Sequence, residues 1–353
     1  MNIPEKLRRI EPYEPVDYTF PVKLDANERP FNLSEEMRRR IADAAFCLDY
    51  NRYPDPNCTA LRAAAARAFG IPAENLMAGN GSDELISLVM TCFAGPNSRV
   101  LVTDPDFSMY SFYANLTEAN VRRVLKGGDF LLTADKVIAA MEEERPDLVI
   151  FSNPCNPTGL GIEKSEVLHV LRAADCLVVV DEAYMDFWSE SVLPDALEFD
   201  HVIVLKTLSK AYGLAAIRLG FMAANGRLTA ELNKARSPYN VGALTQEIGT
   251  LVLSDPDALK EYRKMLSYCV EDLKAVISRV MERYPGVFDA VPGCTNFAVL
   301  RAARAKEIHE KLLARGISVR LFSNGLMRIT AGTPEENERL ELALNEILKG
   351  DAV

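Results

Sequence analysis

Residues 202–221 read VIVLKTLSKAYGLAAIRLGF. The first four are an apolar, β-branched run of the kind buried on both faces of a parallel sheet. The composition then changes, and Lys206, Thr207, Ser209, Lys210 and Arg218 fall among apolar residues in one short span. In an open parallel sheet, ligands bind beyond the carboxyl ends of the strands, where the loops emerge. A strand that empties into lysines and hydroxyls therefore marks a candidate site as well as a candidate fold.

Working outward, runs of the same kind are RVLVTDP (99–105), DLVIFSNP (147–154), CLVVVDEAY (176–184) and RLGFMAA (218–224). Segments of helical period such as KSEVLHVLRAA (164–174) lie between several of them. Strand alternating with helix predicts an α/β fold: a large three-layer α/β/α domain with a mostly parallel sheet, placed at 41–255. DPNCTALRAAAARAFG (55–70) reads as a helix ended by Gly70, and GNGSDELISLVMTCFAG (79–95) as a glycine turn leading into a helix. From Asp257 a long amphipathic segment carries Leu259, Tyr262, Leu266, Cys269, Leu273, Ile277 and Val280 on one stripe, as a helix linking two bodies would. NFAVLRA, AKEIHEKLLARG, ISVRLF, LMRITAG and the closing helix PEENERLELALNEILKG form a smaller α+β domain. The small domain is assigned 256–353 together with an N-terminal arm, 1–40, which shows no sheet pattern of its own.

Composition narrows the function. The net charge of −10 disfavours nucleic acid and anionic membrane surfaces as partners. No apolar stretch approaches the roughly 20 residues of a membrane helix, and MNIPEKLRRIEPYEP lacks the apolar core of a secretory signal, so a cytoplasmic protein is expected. The seven cysteines are scattered without the close pairs of zinc or redox motifs. His169, His201 and His309 are too far apart in sequence to suggest a metal site or a histidine triad, so no metal is expected.

Polar residues gather where the strands end: Asn153 to Gly159 (NPCNPTG), then Asp181-Glu182-Ala183-Tyr184, then the lysine and hydroxyl cluster. Each has a local alternative. Asp181 can be a cap or an ion-pair partner, Tyr184 a core residue, NPCNPTG a turn, and Ser82 in GNGSDE a helix cap rather than a phosphate ligand. The ordered set favours one site over independent caps and turns. A lysine near an apolar wall and a second cation can attack a carbonyl; with a phosphate held by Arg218, Thr207 and Ser209 and an aspartate on a pyridine nitrogen, these are the requirements of pyridoxal phosphate.

In this order, AGNGSDE (78–84), SNPCNPTG (152–159), VVDEAY (179–184), TLSKAYGLAAIRLG (207–220) and LMRIT (326–330) resemble the class I/II pyridoxal-phosphate aminotransferases of fold type I. The resemblance spans nearly the whole chain. EPYEP (11–15), LDANERPF (24–31), NRYPDP (51–56) and the paired arginines of GISVRLF and LMRITAGT are most similar to the histidinol-phosphate aminotransferases within that family. Ala216 stands where the family usually has glycine, and EPYEP is not followed by the usual glycine–lysine.

The resemblance implies a role for each position. Lys210 would carry the cofactor covalently and shuttle the proton, with Lys206 as its competitor. Asp181 would pair with the ring nitrogen, Asn156 and Tyr184 would bond the ring oxygen, and Phe107 would lie against the ring face. The phosphate would sit among Gly81, Ser82, Asp83, Thr207, Ser209 and Arg218, with Tyr53 contributed by a neighbouring subunit in a homodimer that shares its active sites. Asn27 and Tyr239 would line the site. Alternation along LMRIT puts Leu326, Arg328 and Thr330 on one face, so Arg328 would grip the substrate anion while Arg320 and Tyr13 complete a phosphate-sized pocket. The implied reaction takes an amino group from histidinol phosphate, the amino donor, to 2-oxoglutarate, the 2-oxo acid. The alternatives are another, aromatic, amino donor, a threonine-phosphate decarboxylase, or a metabolite sensor that kept only the fold.

Overall fold

The computed structural model describes residues 2–8 and 19–349. Its large sheet contains β2 (Leu76–Gly79), β3 (Arg99–Asp104), β4 (Asn120–Leu125), β5 (Leu148–Ser152), β6 (Leu177–Asp181), β7 (Val202–Thr207) and β8 (Gly220–Ala223). The seven strands are ordered β2-β8-β7-β6-β5-β3-β4. Neighbours from β7 to β4 pair in parallel, and β8 alone runs antiparallel to both its neighbours.

Alternation along these strands feeds two cores. Leu101, Val149, Phe151, Val178, Val180, Val202 and Val204 pack into one. Val100, Val102, Leu148, Ile150, Val179, Ile203 and Leu205 pack into the other. A sheet covered on both faces has no solvated side, which is why its central strands read as unbroken apolar runs. Register brings the polar ends level: Ser152 pairs with Asp181 and Asp181 with Leu205.

A second, five-stranded sheet has the order β1-β11-β12-β10-β9. It comprises β1 (Val22–Leu24), β9 (Asp289–Val291), β10 (Phe297–Arg301), β11 (Ile317–Leu321) and β12 (Leu326–Thr330). One expectation is corrected. The N-terminal arm does carry a strand, β1, which pairs in parallel with β11; three residues are too few to show a pattern. The glycine turn of GNGSDE joins a strand to a helix, since β2 ends at Gly79 and the helix begins at Gly81.

The helix Pro256–Arg283, N-capped by Asp255, passes from one core to the other. Leu259, Tyr262 and Leu266 lie in the core of the large sheet, whereas Cys269, Leu273, Ile277 and Val280 lie in that of the small one. In β12, Met327 and Ile329 face the small core, while Leu326 joins Tyr184, Phe297 and Val299 in an apolar cluster between the two sheets. Among the described residues no helix is long and apolar enough to cross a membrane, and no three metal-ligating side chains converge.

Candidate active site

Asp181 ends β6 and is 3% exposed. Its Oδ2 accepts the hydroxyl proton of Tyr110 at 2.7 Å, and its Oδ1 accepts the Ala183 N–H at 3.0 Å. Burial raises its pKa to about 6 against the lowering effect of those two bonds. Asp181 has no ion-pair partner among the described residues, so a buried carboxylate faces the site without a cation. Tyr110 was not read from the sequence. The only signal was its place one helical turn after Phe107, against whose ring it packs edge-on at 5.6 Å.

The two lysines of β7 and its loop have different surroundings. Lys206 is buried, 3.1 Å from Asp186 and 3.9 Å from Glu182. Burial alone would lower its pKa, but the two carboxylates outweigh that and raise it, so Lys206 is held as an ammonium and is no nucleophile. Lys210, half-buried in the loop, donates to Ala26 O at 2.9 Å with its Nζ 6.0 Å from the Tyr184 ring centre.

At the other end of the site stands the N-terminus of the Gly81–Phe93 helix. Its N-cap is Asn80, with no side-chain cap bond, so Ser82 lies within the first turn rather than capping it. First-turn amides left without a side-chain acceptor suit an anion. Arg218 bends over them: a Cβ on Gly81 would stand 2.9 Å from its Nη2. The guanidinium also contacts Ser209 Oγ (3.4 Å) and Asp83 Oδ2 (3.2 Å). Thr207 is buried beside them and accepts the Ser209 N–H at 3.2 Å. Gly220 leaves no room for a side chain, since a Cβ there would lie 2.6 Å from the Ser82 nitrogen. That close approach fixes the helix end against β8.

The N-terminal arm and small sheet close the opposite wall. Asn27, 1% exposed, donates from Nδ2 to the Tyr184 hydroxyl at 2.7 Å and from its backbone to Thr330 Oγ1 at 2.9 Å. Arg328 donates to Asn156 Oδ1 (2.5 Å) and to Asp25 O (2.6 Å). A guanidinium only donates, so this contact turns the Asn156 carbonyl toward Arg328 and its NH2 the other way. Arg320 stands directly opposite Arg328 in the β11–β12 ladder. Tyr53 and Tyr239 are not in this group: they are exposed and stack on each other, ring centres 4.5 Å apart. Tyr13 lies outside the described residues.

Residues 21–344 match the family model described as aminotransferase class I and II. The chain belongs to that family. Histidinol-phosphate aminotransferase of Clostridium novyi is 37% identical over 98% of this chain and 96% of its own length. The enzyme of the same name from Caldanaerobacter subterraneus subsp. tengcongensis is 36% identical over 98% of both chains. Among solved structures, histidinol-phosphate aminotransferase of Sinorhizobium meliloti in complex with pyridoxal 5'-phosphate superposes with a TM-score of 0.87 at 23% identity, covering 94% of this chain and 92% of that one.

The aminotransferase's own residues fit the family's cofactor, pyridoxal phosphate. The buried Asp181 matches a protonated pyridine nitrogen, the uncapped helix end under Arg218 matches a phosphate, and the Lys210 amine is the one not buried among carboxylates. Ala216 is compatible with this arrangement. It is exposed in the short turn Ala215–Ile217 and has no positive φ, so the freedom of a glycine is not required there.

Proposed function

We propose that this aminotransferase moves the amino group of histidinol phosphate to 2-oxoglutarate, as a cytoplasmic homodimer. The observation that carries the substrate is the Arg320–Arg328 pair. Directly opposed cross-strand residues have Cβ atoms about 5 Å apart, and like charges there repel. An anion held between two such guanidiniums relieves that repulsion, and a phosphate monoester offers the charge and the oxygens to engage both. The curated relatives of full-length similarity bear the same activity in their names.

Pyridoxal phosphate supplies a protonated ring that takes up the electrons left when the substrate carbon loses its proton. Everything else falls to the chain. Asp181 would hold the charged ring nitrogen, since a neutral ring would leave its buried carboxylate without a cation. Tyr184, whose oxygen accepts from Asn27, has its proton to donate to the ring oxygen, and the outward NH2 of Asn156 donates beside it. The Lys210 amine would serve as the base that takes the proton from the substrate carbon. Gly81, Ser82 and Asp83 amides, with Thr207, Ser209 and Arg218, would hold the cofactor phosphate, and Phe107 would lie against the ring. Tyr53 would reach the phosphate of the partner's site.

The test is an absorption titration of the cofactor-loaded protein with histidinol phosphate and no 2-oxo acid, with phenylalanine in parallel. Complete loss of the visible band with histidinol phosphate alone is expected, and Lys210→Ala should lack that band from the start. Conversion by phenylalanine but not by histidinol phosphate would replace the substrate assignment with an aromatic amino acid. A visible band that persists in Lys210→Ala and disappears in Lys206→Ala would overturn the lysine assignment.

A further inference from the structure

Beneath the Phe107 and Asn156 loops lies a buried ion pair that none of the roles above uses. Asp106 and Lys126 meet at 3.1 Å with side chains 2% and 1% exposed. Lys126 follows β4 and Asp106 follows β3. The ladder between those strands, continued by Lys126 N–H to Asp104 O at 2.9 Å, brings them together across twenty positions. Burying two charges costs several kcal/mol per ion, and such a pair adds little net stability. Its bonding instead points to placement of the site loops.

Asp106 accepts from the Phe107 N–H (2.7 Å), from the hydroxyls of Thr103 and Ser152, and from the Ser152 N–H (3.3 Å). Ser152 Oγ in turn accepts the Asn156 N–H at 3.3 Å. Lys126 completes the set by donating to Cys155 Sγ at 3.0 Å, one residue before Asn156. One carboxylate thus ties the backbone of Phe107 to that of Asn156, and one ammonium ties it again through Cys155. Every lone-pair direction of Asp106 is engaged, so the carboxylate has one orientation and the two loops one separation.

We propose that Asp106 and Lys126 are positioning residues that fix Phe107 and Asn156 relative to each other, and so let one cofactor ring meet Phe107 at its face and Asn156 at its oxygen together. This rests on the proposed placement of the ring with its face against Phe107 and its oxygen beside Asn156. Neither side chain touches the reacting atoms.

The test uses full-length protein stripped of cofactor and reloaded. Pyridoxal phosphate affinity is measured by equilibrium dialysis for wild type, Ser152→Ala and the double variant Asp106→Asn/Lys126→Met, with cofactor-free melting temperatures alongside. Ser152→Ala keeps the ion pair and cuts only its link to Asn156. The double variant removes both charges without leaving one unpaired. Both are expected to melt as cooperative, folded proteins, to bind the cofactor at least about tenfold more weakly, and to lose kcat more than they raise KM for histidinol phosphate, as loss of outer supporting bonds does elsewhere. Unchanged cofactor affinity in folded Ser152→Ala would overturn the proposal, as would a double variant whose only defect is a lower melting temperature. If wild type itself failed to bind pyridoxal phosphate, the functional reading would fall instead, so the two failures are separable.

Discussion

Asp181 shows how one residue's environment sets a function and a liability together. Its folded-state pKa of about 6 lies above the unfolded value near 3.9. Between about pH 4 and 6 the folded, cofactor-free chain therefore binds more protons than the unfolded chain. The stability this group contributes is complete below about pH 4 and is lost as pH rises through about 6, some 2–3 kcal/mol in order of magnitude. Asp181→Asn removes the titration and should flatten the melting temperature of the cofactor-free protein across that window relative to wild type. Loading the cofactor should remove that slope in wild type, because a cation on the carboxylate favours its charged form and takes its titration out of the window. The check is melting temperature against pH for both proteins, with and without pyridoxal phosphate. Parallel curves for the two cofactor-free proteins would remove Asp181 as the titrating group.

Strands β11 and β12 carry the substrate argument as elements, because only their antiparallel register places Arg320 opposite Arg328. Arg320→Leu should raise KM for histidinol phosphate about 10- to 100-fold, the worth of hydrogen bonds to a charged group. It should leave turnover of phenylalanine, which has no phosphate, within about twofold. Equal losses on both substrates in steady-state assays would mean that Arg320 supports the fold and not the phosphate. The register itself was not legible in the sequence: GISVRLF and LMRITAGT show two arginines on strand-like stretches, and the pairing comes from the turn between them. Strands with both faces buried, β3 and β5 to β7, were legible as apolar runs, and so were the polar residues at their ends. The edge strand β4, NVRRVL, was not, because it is largely exposed and carries arginines where a core strand carries valines. For the same reason Lys126 and its partner Asp106 went unread, as did Tyr110, whose role exists only once a short helix is laid against β6.

In the whole molecule, Phe46, Tyr50 and Tyr53 are 90%, 73% and 80% exposed on the single chain, and Tyr53 lies flat against Tyr239. Aromatic surface on that scale is what the proposed subunit interface would cover. If Tyr53 completes the partner's phosphate cradle, dimerisation and cofactor binding are linked, and each must strengthen the other by the same factor. Sedimentation velocity on a dilution series should then show a dimer that dissociates at higher concentration when stripped of pyridoxal phosphate than when loaded. Tyr53→Ala should weaken both equilibria, raising the dissociation constant for the cofactor most at dilutions where wild type remains dimeric. A variant that dimerises less but binds the cofactor with wild-type affinity would leave Tyr53 as an interface residue only. A wild type that stays monomeric at every concentration while binding cofactor fully would remove the shared active site, since each chain would then hold its phosphate with its own Gly81–Phe93 helix, Ser209 and Arg218 alone.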